Sequence, residues 1–268
     1  MTTDARSQIK KYFKKFPTWA VVVIAILGLP SLLIGLSTSS SFGQFSLFWA
    51  AVWIALGVWR IVSYYKKPSD AEMDAWIKED MENLPGRALA KAGLDPAELI
   101  AKSVTVYGPR FWNVGGAEVG IKKGDDGIVR FMPIEVTVIH FTVHQLVSYQ
   151  CVLDLTTGNP LSESTDEYFY RDVVSVSTQS ESLTLEGIDP KLSSGPLAAL
   201  MVGGKLQLNA AETFKLTTSG GTSIKVFLRD PKLVERVGGG SIPTDTADKA
   251  VQTVRKMLRE KKSFSASA

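Results

Sequence analysis

Two long apolar runs near the N-terminus constrain this chain more than any other feature. Thr18–Leu36 (TWAVVVIAILGLPSLLIGL) carries no charge over 19 residues, and Phe45–Tyr65 (FSLFWAAVWIALGVWRIVSYY) spans 21 with only Arg60 interrupting it. A hydrocarbon core of about 30 Å asks for roughly 20 apolar residues in a helix, so each run is long enough to cross one. The segment between them, Ser37–Gln44 (STSSSFGQ), is short, polar and uncharged, as a tight turn would be. A transmembrane helical hairpin over residues 18–65 follows. A cleaved signal peptide fits less well, because the first apolar core is too long and a second span follows almost at once.

The flanks set the orientation. Arg6, Lys10, Lys11, Lys14 and Lys15 precede the first run, while Arg60, Lys66 and Lys67 close the second. Both outer flanks are basic and the loop is not, so the positive-inside rule puts both termini in the cytoplasm of a multi-pass inner-membrane protein. Trp19, Trp59, Tyr64 and Tyr65 lie where an interfacial aromatic belt belongs, and Arg60 can snorkel to the head groups. Gly28–Leu29–Pro30 should loosen the first helix. Ala51 and Ala55, four residues apart, would allow another helix to approach.

This basic flank also explains the net charge of +3. Residues 1–65 hold six Lys/Arg against Asp4, giving +5, and the remaining 24 basic and 26 acidic residues give −2. The high pI therefore belongs to the membrane flank and does not argue for nucleic acid as a partner. Cys151 is the only cysteine, which excludes an intramolecular disulfide and a cysteine-only metal site. Its apolar neighbours suit a small buried thiol.

Beyond the basic N-terminus (residues 1–17) and the hairpin (18–65), residues 66–102 read as a helical linker. Ser69 with Glu72 makes a capping box, and Met73, Trp76, Ile77 and Met81 recur at helical spacing to about Asn83. Leu84–Pro85–Gly86 should break that helix. Helical signal resumes in Arg87–Ala92 and in Asp95–Lys102, where Asp95 stands as N-cap before Pro96.

Residues 103–268 read as a mainly antiparallel β domain with a C-terminal helix. Strands are expected at Val104–Val106, Ala117–Ile121, Ile128–Val143, Leu146–Leu155, Tyr168–Thr178, Leu183–Leu185, Lys205–Leu208, Thr213–Thr217 and Ser223–Leu228. Turn signals separate several of them, at Lys123–Gly127, Thr157–Pro160 and Ser219–Gly221. Arg171, Asp172 and Ser175 break the apolar pattern around Val173, Val174 and Val176, which predicts a bulge or bend. After Gly238–Gly240, a helix capped by Thr244 or Asp245 should run to about Lys262, with Ala247, Ala250, Val251, Val254, Met257 and Leu258 as one apolar stripe. Basic residues 255, 256, 259, 261 and 262 complement the helix dipole and offer contact to an anionic membrane or an acidic partner.

Seven or so antiparallel strands closed by one amphipathic helix resemble the pleckstrin-homology (PH) layout. His140–Leu155 (HFTVHQLVSYQCVLDL) is similar to the family's paired strands, and Tyr168–Val176 (YFYRDVVSV) to its aromatic strand with an Asp-hydrophobic step. Phe214–Leu228 with the helix over 245–262 is similar to its last hairpin and capping helix. The likeness covers Ile128 to Lys262 and implies a membrane-anchored α+β protein of the bacterial PH-like kind, with a PH-like barrel after the hairpin. Gly187–Gly204 reads as an inserted loop. Lys122, Lys123 and Arg130 around the Gly124–Gly127 turn fall short of the basic hairpin that binds phosphoinositides, so that recognition is not implied.

No constellation for chemistry emerges, and the sequence points away from an enzyme. On one strand His140 and His144 would lie about 13 Å apart, too far to share a metal. Glu163, Asp166 and Glu167 fall in an expected polar loop. No nucleophile elbow, phosphate loop or metalloprotease motif is present, and no catalytic, cofactor or metal residue is assigned. The function expected is a membrane-tethered interaction or scaffold module, bound to the bilayer through residues 18–65 and to a protein partner or its own copies. The alternative is a ligand- or lipid-sensing effector whose helices oligomerise, motivated by the aromatic, Gly-rich stretch 107–120. Phe111, Trp112, Lys122, Lys123 and Arg130 are the candidate interaction residues.

Overall fold

The computed structural model describes residues 3–38, 40–195 and 197–265. They divide into two compact units: Ser7–Met73, and Asp74 onward together with the N-terminal residues to Arg6.

In the first unit both apolar runs are helices, Thr18–Ser37 and Ser41–Tyr65, long and apolar enough to cross a membrane. Only 17% and 11% of their most apolar windows lie buried. Leu33, Leu36, Phe42 and Phe48 stand on exposed faces. The expected loosening before Pro30 takes the form of a π-helical turn at Ile24–Gly28, in which the Leu29 N–H reaches back to the Ile24 carbonyl. Pro30 has no N–H and would press on the carbonyl four residues back in a regular helix; the wider turn relieves both problems. The helices approach closely at glycine. A Cβ on Gly35 would sit 2.5 Å from Leu47 and one on Gly28 would sit 2.9 Å from Ile54. Ser46 Oγ adds a 2.7 Å hydrogen bond to the Ser31 carbonyl. Ala51 and Ala55 face outward, away from this contact.

The helix Asp70–Ala92 runs straight through Pro85, where the sequence predicts a break. Pro85 forfeits one hydrogen bond, but Leu84 and Ala88 on either side are buried and hold the helix. Its expected capping box forms, with the Ser69 N–H donating to Glu72 at 2.8 Å and Ser69 Oγ accepting from the Glu72 N–H at 3.2 Å. Gly93 ends it in the left-handed region, and the Leu94 N–H returns to the Leu89 carbonyl. The helix expected from Asp95 shrinks to one 3-10 turn, Pro96–Glu98. Its cap is present; a strand beginning at Ala101 takes over the rest.

The strands are β1 (Ala101–Pro109), β2 (Gly120–Lys123), β3 (Val129–Met132), β4 (Ile134–Phe141), β5 (Gln145–Asp154), β6 (Asn159–Phe169), β7 (Val173–Leu185), β8 (Met201–Val202), β9 (Lys205–Thr218) and β10 (Ser223–Arg229). One antiparallel sheet is ordered β1-β4-β5-β6, a second β10-β9-β7 with β8 on β9, and β2-β3 is a separate hairpin. The barrel implied by the family resemblance is not closed. At the seam between the two larger sheets, Gly108 lies against the Phe227 carbonyl so closely that no side chain fits.

Several strand boundaries differ from expectation. Ile128–Val143 is cut by Pro133, which cannot donate to a ladder, so β3 pairs with β2 while β4 turns to β1. Tyr168–Thr178 is interrupted by a 3-10 turn at Tyr170–Asp172 and a register shift between Val173 and Ser175, where the broken pattern placed a bend. The supposed polar loop holding Glu163, Asp166 and Glu167 is strand β6. As an edge strand exposed over much of its length it has no apolar alternation to betray it.

The terminal helix Asp245–Ser265 places Ala247, Ala250, Val251, Val254 and Met257 on Val106, Phe141, Phe214, Leu216 and Val226 in the main core. A second cluster gathers Phe111, Trp112 and Phe227 with Leu192 and Leu197 from the inserted segment. That insertion is thus a small packed element with its own helical turn, Pro190–Ser193, rather than an open loop.

Candidate interaction surfaces

The five residues singled out from the sequence separate into two places. Phe111 and Trp112 are buried, with their rings edge-on to Phe227 at 6.2 and 6.0 Å. The Arg110 guanidinium lies over the Trp112 ring, 4.5 Å from its centroid, and donates to Glu135 at 3.0 Å. Burial raises the Glu135 carboxyl against the pull of that guanidinium. Both aromatics serve the core here.

Lys122 and Arg130 are cross-strand partners in the β2-β3 hairpin, and Lys123 Nζ donates to the Gly238 carbonyl at 3.0 Å. Arg130 is 2% exposed and grips two carboxylates. Its Nε and Nη2 meet Asp74 at 2.7 Å each, while Nη1 and Nη2 meet Asp126 at 3.0 and 2.6 Å. The Arg130 hydrogen bonds hold the Asp126 carboxyl down at about 2. Beside this cluster opens a largely apolar cavity of about 390 Å³, walled by Ile77, Met81, Tyr107, Phe131, Ile134 and Ile242. Burial, then the charges of Asp74 and Asp245, push the Tyr107 hydroxyl up.

The histidines do not share a strand. His140 lies buried on β4 with Nδ1 2.6 Å from Ser103 Oγ, and desolvation lowers its pKa; His144 sits exposed in the following turn. Cys151 is buried and its thiol is pushed up to about 11, chiefly by desolvation. Glu163 accepts from Tyr149 at 2.6 Å, the main reason its carboxyl is lowered. Among the described residues no three His, Cys, Asp or Glu side chains gather to hold a metal ion.

A further surface lies between the start of β7 and the terminal helix. Val173, Val174, Ser175 and Val176 form one bank of a groove of about 510 Å³; Arg255, Leu258, Arg259 and Lys262 form the other. Arg255 donates to the Val176 carbonyl at 3.1 and 3.3 Å, and Lys262 Nζ to the Val173 carbonyl at 2.7 Å. Val174 is 60% exposed at its rim. No carboxylate lines the groove. Sequence reasoning identified the basic helix end and the broken strand separately. Only their packing brings the three cations opposite the valine bank.

Comparison of the chain with protein-family models, curated proteins and solved structures returns no match.

Proposed function

We propose that this protein is a membrane-tethered interaction module. In this reading residues 18–65 cross the inner membrane as a hairpin with both termini cytoplasmic, and a PH-like β unit displays a docking groove there. The basic flanks support the orientation. The antiparallel β1-β4-β5-β6 and β7-β9-β10 sheets and one packed helix support the family likeness.

The observation that carries the reading is the groove between β7 and the terminal helix. Its cationic bank and valine bank suit an extended, acidic protein segment with alternating apolar side chains. Arg255 and Lys262 already occupy two strand carbonyls, so such a segment would exchange those contacts for charge-assisted bonds to its own carboxylates.

The test uses the full-length chain in native membranes with a photo-crosslinker at Val174. Crosslinks to a protein that disappear with Arg259→Glu are expected. Crosslinks to lipid alone, or protein crosslinks indifferent to that charge reversal, would overturn the docking reading. Alkaline carbonate extraction and protease protection of terminal tags test the membrane placement separately.

The apolar cavity beside Arg130 favours a second reading, in which a small apolar ligand or lipid enters it and the helices respond by oligomerising. A lipid-induced thermal shift abolished by Phe131→Trp, without a change in groove crosslinking, would favour that reading.

A further inference from the structure

The first unit contains a cleft that neither the groove nor the cavity explains. It opens where the N-terminal helix Thr3–Tyr12 gives way to the first apolar helix, beside the last turns of the second. Its volume is about 170 Å³. Lys11, Lys14, Lys15, Arg60 and Lys67 line it, and no carboxylate does. Lys11, Lys14, Lys15 and Arg60 converging on so small a space repel one another, and an anion among them would relieve that repulsion.

The aromatic side chains order this cleft. The Arg60 guanidinium lies over the rings of Trp19 and Trp59, 5.6 and 5.2 Å from their centroids. A guanidinium held near two indole faces still carries five N–H donors, and paired ones can receive two phosphate oxygens at once. Lys67 Nζ stands 4.2 Å above the Tyr64 ring and 2.9 Å from its hydroxyl. A basic membrane flank needs only charge; it needs neither concavity nor an arginine held between two indoles. Trp19 and Tyr64, at the head of one apolar helix and the tail of the other, place the cleft at head-group depth if those helices cross a bilayer.

We propose that this cleft binds the phosphate head group of an anionic phospholipid, with Arg60 as the bidentate donor and Lys11, Lys14 and Lys15 closing around it. The site rests on the membrane reading above. It differs from general attraction to a negative leaflet because it requires one arginine in one orientation.

The experiment takes the full-length protein in nanodiscs of phosphatidylcholine containing a minority of phosphatidylglycerol, and measures the lipid retained after detergent exchange by native mass spectrometry. The wild type should retain phosphatidylglycerol preferentially. Lys14→Gln and the charge-preserving Arg60→Lys should each reduce that retention about tenfold, the factor for losing a hydrogen bond to a charged group. Lys66→Gln removes a charge outside the cleft and should change it by less than about twofold. If Arg60→Lys retains lipid like the wild type while Lys66→Gln loses as much as Lys14→Gln, only diffuse electrostatics acts and the proposal fails. Displacement of the lipid by millimolar inorganic phosphate, with no preference among lipids, would assign the cleft to soluble phosphate instead and overturn the lipid source. Carbonate extraction separates the two layers of the argument. A chain released from the membrane sinks the membrane reading and this site together, whereas a chain that stays but holds neutral and anionic lipid equally sinks the site alone.

Discussion

Arg130 is the desolvated member of its ion-pair cluster, which predicts an unequal response to removing either side. The guanidinium is 2% exposed, while Asp74 and Asp126 are 50% and 38% exposed. Arg130→Met leaves two carboxylates that rehydrate and keeps an apolar side chain beside the cavity. After discounting for solvent screening at the exposed acids, its expected cost is about 1–2 kcal/mol. Asp74→Ala combined with Asp126→Ala instead takes two carboxylates away from a buried cation, with about 3–5 kcal/mol lost. Urea unfolding of the full-length protein in nanodiscs, read by pulse proteolysis of the β unit, measures both. The same cluster sets a pH signature. The folded Asp126 carboxyl is depressed from 3.8 to about 2, so its contribution is complete above the unfolded value and is lost as pH falls through the folded one. Arg130→Met should therefore shrink the acid-induced loss of stability between those two values. An Arg130→Met variant less stable than the double alanine variant, or one with an unchanged acid limb, would refute the assignment of the desolvation cost to the arginine.

Three further outcomes follow from packing and burial. Gly108→Ala drives a methyl group into the backbone carbonyl of Phe227, where no side-chain rotation can relieve it, and thermal unfolding should report a loss of about 3 kcal/mol. Phe111→Ala and Trp112→Ala should each cost about 3–5 kcal/mol in the same assay while leaving Val174 crosslinking per folded molecule unchanged, because both rings fill the core. Cys151 should react with a maleimide far more slowly than an unstructured thiol at neutral pH, and at the ordinary rate once urea unfolds the β unit; its burial and a pKa near 11 both suppress the thiolate.

The parts of this fold that were legible from the residues are those with a strong local signature. The two apolar runs, the Ser69–Glu72 capping box, the stripe Ala247–Ala250–Val254 and the Ser219–Gly221 hairpin each depend on near neighbours, and each is found where expected. Strand β6 was not legible, because an edge strand with a solvated face carries no alternation. Pro85 misled because its penalty is local and fixed, whereas the burial of Leu84 and Ala88 that outweighs it is a tertiary gain. Arg130 and its basic neighbours stood out as charges near a turn. Their sequence context contains nothing of Asp74, which lies 56 positions away and turns Arg130 inward.

The candidate sites divide in the same way. By itself the sequence determined two helices long and apolar enough for a membrane, a mainly antiparallel β region and a basic amphipathic helix at its end, since periodicity and length are properties of short windows. Only the tertiary structure decided that Phe111 and Trp112 face a core and that the sheets stop short of a barrel. It also decided that Val173–Val176 meet Arg255 and Lys262 across a groove, and that Arg60 lies over Trp19 among converging lysines. Those outcomes join residues tens of positions apart. What brings them together is the burial of apolar surface across whole elements, which no short stretch of the chain encodes.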